Sequence, residues 1–205
     1  IIGIELPMAL MREYIPKISI SNENGKEFAK SILTTDKKIK EIALSIKLDS
    51  EEILLAGVAK GSGMIHPNMA TMLAFLTTDA NIEKNLLQKI LSSAIKKTFN
   101  QTDVDSDQST NDTVLIFANG KSGITVDTKK VLEVFSEAVL IICKFLAKEI
   151  ARDGEGPSKL IDVTVEGAKT EDDALVASRS VASSLLVRTA VYGRDPNWGR
   201  ILMAV

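Results

Sequence analysis

Thr71 is the residue of this 205-residue chain whose setting most invites chemistry. It stands in "GMIHPNMATMLAFLTTDA", residues 63 to 80, between the small Ala70 and an apolar run that reads as a core strand. A threonine hydroxyl is a weak nucleophile at neutral pH and needs a neighbouring base. A cut just before Thr71 would supply one, because the new α-amine, with an ordinary pKa of about 7.7–8.0, shares the residue with the hydroxyl. Ala70 offers an unhindered carbonyl, and Pro67 and Gly63 can hold a tight backbone that brings the hydroxyl to it. Attack there exchanges an amide for an ester, which water hydrolyses. The same residues also fit a plainer role, in which Thr71 is a β-branched residue opening a strand.

Other polar residues have chemistry of their own. Lys60 in "GVAKGSG" can pair with the α-carboxylate of an amino acid and lower the pKa of a nearby amine. Its glycine spacing matches neither a Walker A loop nor a dinucleotide fingerprint, and a solvated lysine is the plain alternative. Thr34 and Thr35 in "SILTTD" offer adjacent hydroxyl donors, or simply end a helix. Glu155 in "RDGEGPSK" lies between glycines that let a backbone approach a ligand, or sits in an exposed turn. "DVDSDQSTND" holds Asp103, Asp105, Asp107 and Asp112 but lacks the Gly and terminal Glu of an EF-hand. It reads as hydrogen-bonded scaffolding, with Asn111 and Asp112 as supporting groups. His66, the only histidine, has no partner cluster for zinc and stays outside the catalytic set, so no metal site is expected.

These residues need elements to position them. "LPMALMREYI" and "KEFAKSIL" read as short helices, with "PKISIS" between them as a strand. "EEILLAGVAKGSGMI" begins as a strand and breaks at glycines, and "TMLAFLTTDA" is a short apolar run. Ile82, Leu86, Leu87, Ile90, Leu91, Ala94, Ile95 and Phe99 recur at helical spacing. So do Val131, Phe135, Ala138, Ile142, Leu146 and Ile150, on a helix from about Val131 to Ile150. "TVLIFANG" and "GITVD" read as two strands of a meander, and "LIDVTVEGA" as another strand. Thr170 and Asp173 are placed as a capping box for a helix over "TEDDALVASRSVASSLL". "LVRTAVYGRDPNWGRILMAV" reads as strand, turn, strand. The expected class is α/β or mixed α+β, with β-rich layers covered by helices.

Composition excludes several functions. Hydrophobic residues at 45% and charged residues at 25% describe an ordinary globular chain, long enough for one large domain or two small ones. A net charge of −2 leaves no basic footprint, so neither nucleic acid nor an anionic membrane is expected as a partner. No apolar run reaches the ~18–20 residues of a membrane span. The single Cys143 cannot form an internal disulfide and reads as a buried thiol in a reducing compartment.

"GVAKGSGMIHPNMATMLAFLTTDA" resembles the processing and active-site segment of the ornithine acetyltransferase family, the bifunctional glutamate N-acetyltransferases of arginine biosynthesis. "SILTTD", "DSDQSTNDTVLIFANG", "RDGEGPSKLIDVTVEGA" and "RTAVYGRDPNWGRI" extend the resemblance over essentially the whole chain. It implies a self-processing fold of DmpA type and a cut between Ala70 and Thr71. Residues 1–70 would then end an α chain and 71–205 begin a β chain of one domain. It implies that Thr71 takes an acetyl group from N-acetylornithine and passes it to glutamate, with ping-pong kinetics through an acetyl-Thr ester. Thr34, Lys60 and Glu155 would contact substrate, Glu155 suiting the δ-ammonium of ornithine. No cofactor is implied, with acetyl-CoA a co-substrate in some members only. The α and β fragments would form a heterotetramer in the cytoplasm. Trp198 and Arg200 in "DPNWGRI" would pack or orient backbone. Pro157 and Ser158 replace the usual "AT" of "GEGATK", and Ser106 stands where glycine is more usual.

The family's oxyanion-hole Thr-Gly pair directly precedes "VIG" in related sequences, so it is expected upstream of Ile1. A C-terminal segment adding an Asn and a Ser/Thr to the substrate site is expected beyond Val205. Loss of one oxyanion donor costs ~10²–10³ in rate, so the 205 residues alone are expected to be poorly active. A self-processed threonine aminopeptidase or amidase is the alternative enzyme, and an uncut binding domain the alternative outside catalysis.

Overall fold

A computed structural model describes residues 3–21, 23–66 and 72–205. Two short helices, α1 (Met8–Tyr14) and α2 (Gly25–Ser31), lead into a sheet of four strands. These are β1 (Lys40–Leu48), β2 (Glu51–Lys60), β3 (Leu73–Thr78) and β4 (Thr113–Ala118), in that spatial order. β1 and β2 form a hairpin in which Leu48 faces Glu51. Asp49 turns it with φ 55°, a left-handed conformation that aspartate tolerates better than most residues. β2 pairs antiparallel with β3, whereas β4 runs parallel to β3. A parallel neighbour requires a crossover, which helix α3 (Lys84–Lys97) supplies.

One long helix, α4 (Lys129–Arg152), builds the core against this sheet. Its Phe135, Val139, Ile142, Leu146 and Ile150 are fully buried, together with Ile53, Leu55 and Ala59 of β2 and Ala74 and Leu76 of β3. Contact is close at Gly57, where a Cβ would fall 2.8 Å from Ile142 Cγ2 and 3.0 Å from Leu146 Cδ1. Leu87, Ile90, Leu91 and Ala94 of α3 complete the same cluster. Cys143 lies inside it, and burial pushes its thiol up to about 12. On the far side of the sheet Leu54, Leu115 and Phe117 are exposed, and Phe28 of α2 meets the edge of Phe75 at 5.2 Å.

Three helices follow: α5 (Glu171–Ser183), α6 (Leu185–Gly193) and α7 (Trp198–Ala204). Half of the capping box is present at α5: the Asp173 N–H donates to Thr170 Oγ1 at 3.1 Å, while the Asp173 carboxylate accepts the Thr170 hydroxyl. The α6–α7 pair corrects the strand-turn-strand expectation. Ser184 Oγ accepts the Val187 N–H at the start of α6, Val187 and Ala190 are buried three residues apart, and Arg194 ends the helix at φ 57°. Those local signals outweigh the β-branched composition.

Three further strand expectations also differ. "PKISIS" only overlaps the end of a 3-10 turn, Ile15–Lys17. "GITVD" contributes one bridge, Asn81 to Thr125. "LIDVTVEGA" keeps half-buried Ile161, Val163 and Val165 alternating with exposed Asp162, Thr164 and Glu166, yet pairs with no strand among the described residues. Alternation specifies a face; a ladder also needs a neighbour. Conversely, β1 was assigned to no element from the sequence. The described residues thus hold one four-stranded sheet covered by helices, in keeping with the mixed α/β class expected. No single helix among them is long and apolar enough to cross a membrane.

Leu146→Ala is expected to lower the unfolding free energy by about 2–5 kcal/mol through the cavity it leaves, read from urea denaturation. Gly57→Ala, which crowds the helix off the strand, is expected to cost about 1–3 kcal/mol.

Candidate functional site

Register brings three strand ends together. Lys60 ends β2 opposite Leu73, and Leu73 at the start of β3 lies opposite Thr113 at the start of β4. Met72 and Asp112 therefore enter the sheet side by side. The Met72 N–H donates to Asp112 Oδ1, and the Thr113 N–H donates to the Met72 carbonyl at 3.0 Å. Asp112 Oδ2 is buried with no hydrogen-bond partner among the described residues. Burial pushes the Asp112 carboxyl up to about 6, against the pull of the Met72 N–H and the Lys60 charge. The Lys60 side chain is itself buried. Ala70 and Thr71, the expected cut and nucleophile, lie outside the described residues, directly before Met72.

A buried ion triad fixes the surrounding loops. The Lys40 side chain, 1% exposed, lies 2.6 Å from Asp36 Oδ1 and 2.7 Å from Asp153 Oδ2. Taking such charges out of water is costly, and the cost is met only if the remaining lone pairs are also satisfied. Here backbone amides satisfy them. Gly61 N–H donates to Asp36 Oδ1 at 2.6 Å and Thr34 N–H to Oδ2 at 3.2 Å. Lys37 and Lys38 N–H groups donate to Asp153 Oδ2 at 2.9 and 3.2 Å. Burial pushes both carboxyls up, but these hydrogen bonds and Lys40 outweigh it and hold both below the usual carboxylate range.

The triad joins the three segments that carry the sequence-predicted substrate contacts: Thr34 beside Asp36, Lys60 before Gly61, and Glu155 after Asp153. Direct contacts reinforce it. Thr35 Oγ1 is 2.8 Å from Ser62 Oγ, and the Glu155 N–H donates to the Ser62 carbonyl at 3.1 Å. A Cβ on Gly63 would fall 2.8 Å from Glu155 Oε1, so the carboxylate rests where only glycine leaves room. With Thr35 engaged by Ser62, Thr34 is the member of the pair whose hydroxyl has no hydrogen bond among the described residues.

The acidic run braces the chain just ahead of Pro67. Asp105 accepts the Met64 and Ile65 N–H groups at 2.6 and 2.9 Å, and the Val104 N–H donates to the Ile65 carbonyl. Asp103 holds His66 Nδ1 at 2.8 Å through one oxygen and Arg188 of α6 at 2.8 Å through the other. Burial raises the Asp103 carboxyl, and the hydrogen bonds from Arg188 and His66 help to bring it below its ordinary value. Arg200 orients backbone by donating to the Leu186 carbonyl at 2.8 Å, whereas Trp198 is exposed. No group of three or more His, Cys, Asp or Glu among the described residues could hold a metal ion.

Asp36, Lys40, Asp153 and Arg188 were not singled out from the sequence. A signal existed for the first two: an acid four residues before a lysine, the lysine falling on the buried face of an alternating strand.

Fold and site together define a mixed α/β protein whose site lies where adjacent strand ends meet loops locked by buried charge. The chain belongs to the ArgJ family, whose sequence profile matches residues 1–205. It is 48% identical over 207 residues to the arginine biosynthesis bifunctional protein ArgJ of Dehalococcoides mccartyi, covering 100% of this chain and 51% of that protein. It is also 48% identical over 210 residues to the glutamate N-acetyltransferase of Methanocaldococcus jannaschii, covering 100% and 52%. A crystal structure of the arginine biosynthesis bifunctional protein argJ from Bacillus halodurans matches with a TM-score of 0.61 at 45% identity, over 63% of this chain and 62% of that one. The chain spans about half the length of the curated relatives it matches.

Lys40→Met leaves two buried carboxylates unpaired and is expected to destabilise the chain by about 3–5 kcal/mol in urea at pH 7. Asp112 behaves oppositely, because its folded pKa is raised: ionising it in the folded state costs stability above about pH 6, and the cost fades as pH falls toward the unfolded value of about 3.9. Asp112→Asn is therefore expected to raise the urea midpoint at pH 7, with the gain shrinking between pH 6 and 4.

Proposed function

We propose that the complete protein transfers an acetyl group from N-acetylornithine to glutamate through Thr71, freed by a self-cut after Ala70. The observation that carries this reading is the meeting of Lys60, Met72 and Asp112 at adjacent strand ends, one residue from Thr71. Membership of the ArgJ family supports it independently.

After the cut, the Thr71 α-amine accepts the hydroxyl proton as Oγ attacks the acetyl carbonyl of N-acetylornithine. The C–N bond breaks, ornithine leaves with the proton, and the acetyl group remains as a Thr71 ester. The glutamate amine then attacks that ester, and Thr71 Oγ recovers its proton. Lys60 pairs with the substrate α-carboxylate, Glu155 with the δ-ammonium and Thr34 with a carboxylate or acetyl oxygen. Holding these partners in fixed loops supplies orientation, which is worth several kcal/mol of barrier. No cofactor enters these steps, and acetyl-CoA is a candidate second donor. The α and β fragments remain associated.

Brief mixing of the full-length, cut protein with N-acetylornithine is expected to add one acetyl group to the chain that begins "TMLAFLTT", seen by intact mass. Added glutamate should remove it. Absence of the adduct would reject the reading, and release of free acetate without glutamate would favour the aminopeptidase or amidase alternative. Thr71→Ala is expected to leave a single uncut chain on a denaturing gel.

A further inference from the structure

The self-cut has a requirement that acetyl transfer does not. Before the cut, the Thr71 nitrogen is an amide and cannot accept a proton, so the attacking hydroxyl needs another base. That base must lie beside the linkage, have a free lone pair and be shielded from water.

Asp112 meets these conditions. Its Oδ1 accepts the N–H of the Thr71–Met72 peptide, so its carboxyl is docked on the nucleophile's own linkage. The Thr71 hydroxyl is tethered to that amide through its Cβ, Cα and carbonyl carbon, which keeps it within about 5 Å of Met72 N in any rotamer. Asp112 Oδ2 is buried and lacks a partner among the described residues, an unusual state for a carboxylate oxygen. Met72, Ile95, Phe99, Asn100 and Val114, which line the small space beside it, carry no titratable group. Lys60 supplies the charge that favours the ionised form, and burial opposes it. The result is a carboxyl poised close to neutrality, where a base exchanges protons most effectively.

We propose that Asp112 is the catalytic base of the self-cut, taking the Thr71 hydroxyl proton through Oδ2. This rests on the reading of Thr71 as the self-cutting nucleophile. As Thr71 Oγ bonds to the Ala70 carbonyl carbon, its proton passes to Asp112 Oδ2. The Ala70–Thr71 C–N bond then breaks, and the departing nitrogen takes that proton to become the amine. An ester replaces the amide, Asp112 is again a carboxylate, and water hydrolyses the ester. His66 is the rival base, because an Nδ1 held by Asp103 leaves Nε2 as the acceptor, and substitution separates the two.

The full-length precursor can be made by cell-free synthesis and its cutting timed on denaturing gels between about pH 5 and 8. The wild-type rate is expected to fall as pH drops through about 6. Asp112→Asn, which keeps an acceptor for the Met72 N–H, should slow cutting by about 10²–10⁴-fold. Asp112→Glu should recover part of the rate, and His66→Gln should cut like wild type. Cutting of Asp112→Asn at the wild-type rate overturns the proposal, as does loss of the cut in His66→Gln alone. If Asp112→Asn proves unfolded by its urea midpoint, the wild-type profile decides, and a rate independent of pH overturns the assignment. A wild-type precursor that never cuts overturns the Thr71 reading itself, and Asp112 with it.

Discussion

Lys40, sealed in the interior between Asp36 and Asp153, is the constraint on which the site's geometry hangs. Net stability is not the reason to keep such a triad, since well-packed apolar side chains of similar volume commonly serve as well or better. Its effect is on position. The oxygens that hold Lys40 also accept backbone amides, Asp36 Oδ1 from Gly61 and Asp153 Oδ2 from Lys37 and Lys38, and the other oxygen of Asp36 takes the Thr34 amide. A methionine in place of Lys40 could fill the space but could not organise the carboxylates that gather these chains.

The sheet acts on the same end of the molecule by register. Antiparallel pairing carries the end of β2 to the start of β3, and parallel pairing carries the start of β4 to the same level. The crossover through α3 makes this possible, because a hairpin after β3 would have brought the far end of the next strand instead. Lys60 and Asp112, 52 positions apart in the chain, thereby flank the strand that begins just after Met72. Helix α4 serves the arrangement from the other side: its apolar face is clamped on β2 through Gly57, and its C-terminal end leads directly into Asp153 and Glu155.

Much of this was legible in the sequence, and the failures have physical causes. Helices α3 and α4 were readable because their apolar residues repeat at the helical period over several turns. The loops around Lys60 and Glu155 were marked by their glycines, and the hydrogen bonds of Asp103 and Asp105 match the scaffolding read into that part of the acidic run. The α6–α7 segment misled because Val and Thr favour strands, while the Ser184 cap and the helical spacing of Val187 and Ala190 decided the outcome. The ion triad was the hardest to see, since its members come from a loop, a strand and a helix end. Asp36 and Lys40 are close in sequence, but nothing local to Asp153 says that it folds back onto them.

The seclusion of Cys143 has a practical consequence. With its thiol pushed up to about 12 and its side chain enclosed by the core, almost none of it exists as the reactive anion at physiological pH. Thiol-directed alkylating dyes therefore find no reactive sulfur at Cys143. A cysteine introduced at an exposed position, such as one on the loop that bears Thr34, would be the sole point of attachment for a fluorophore or spin label, with no background to subtract.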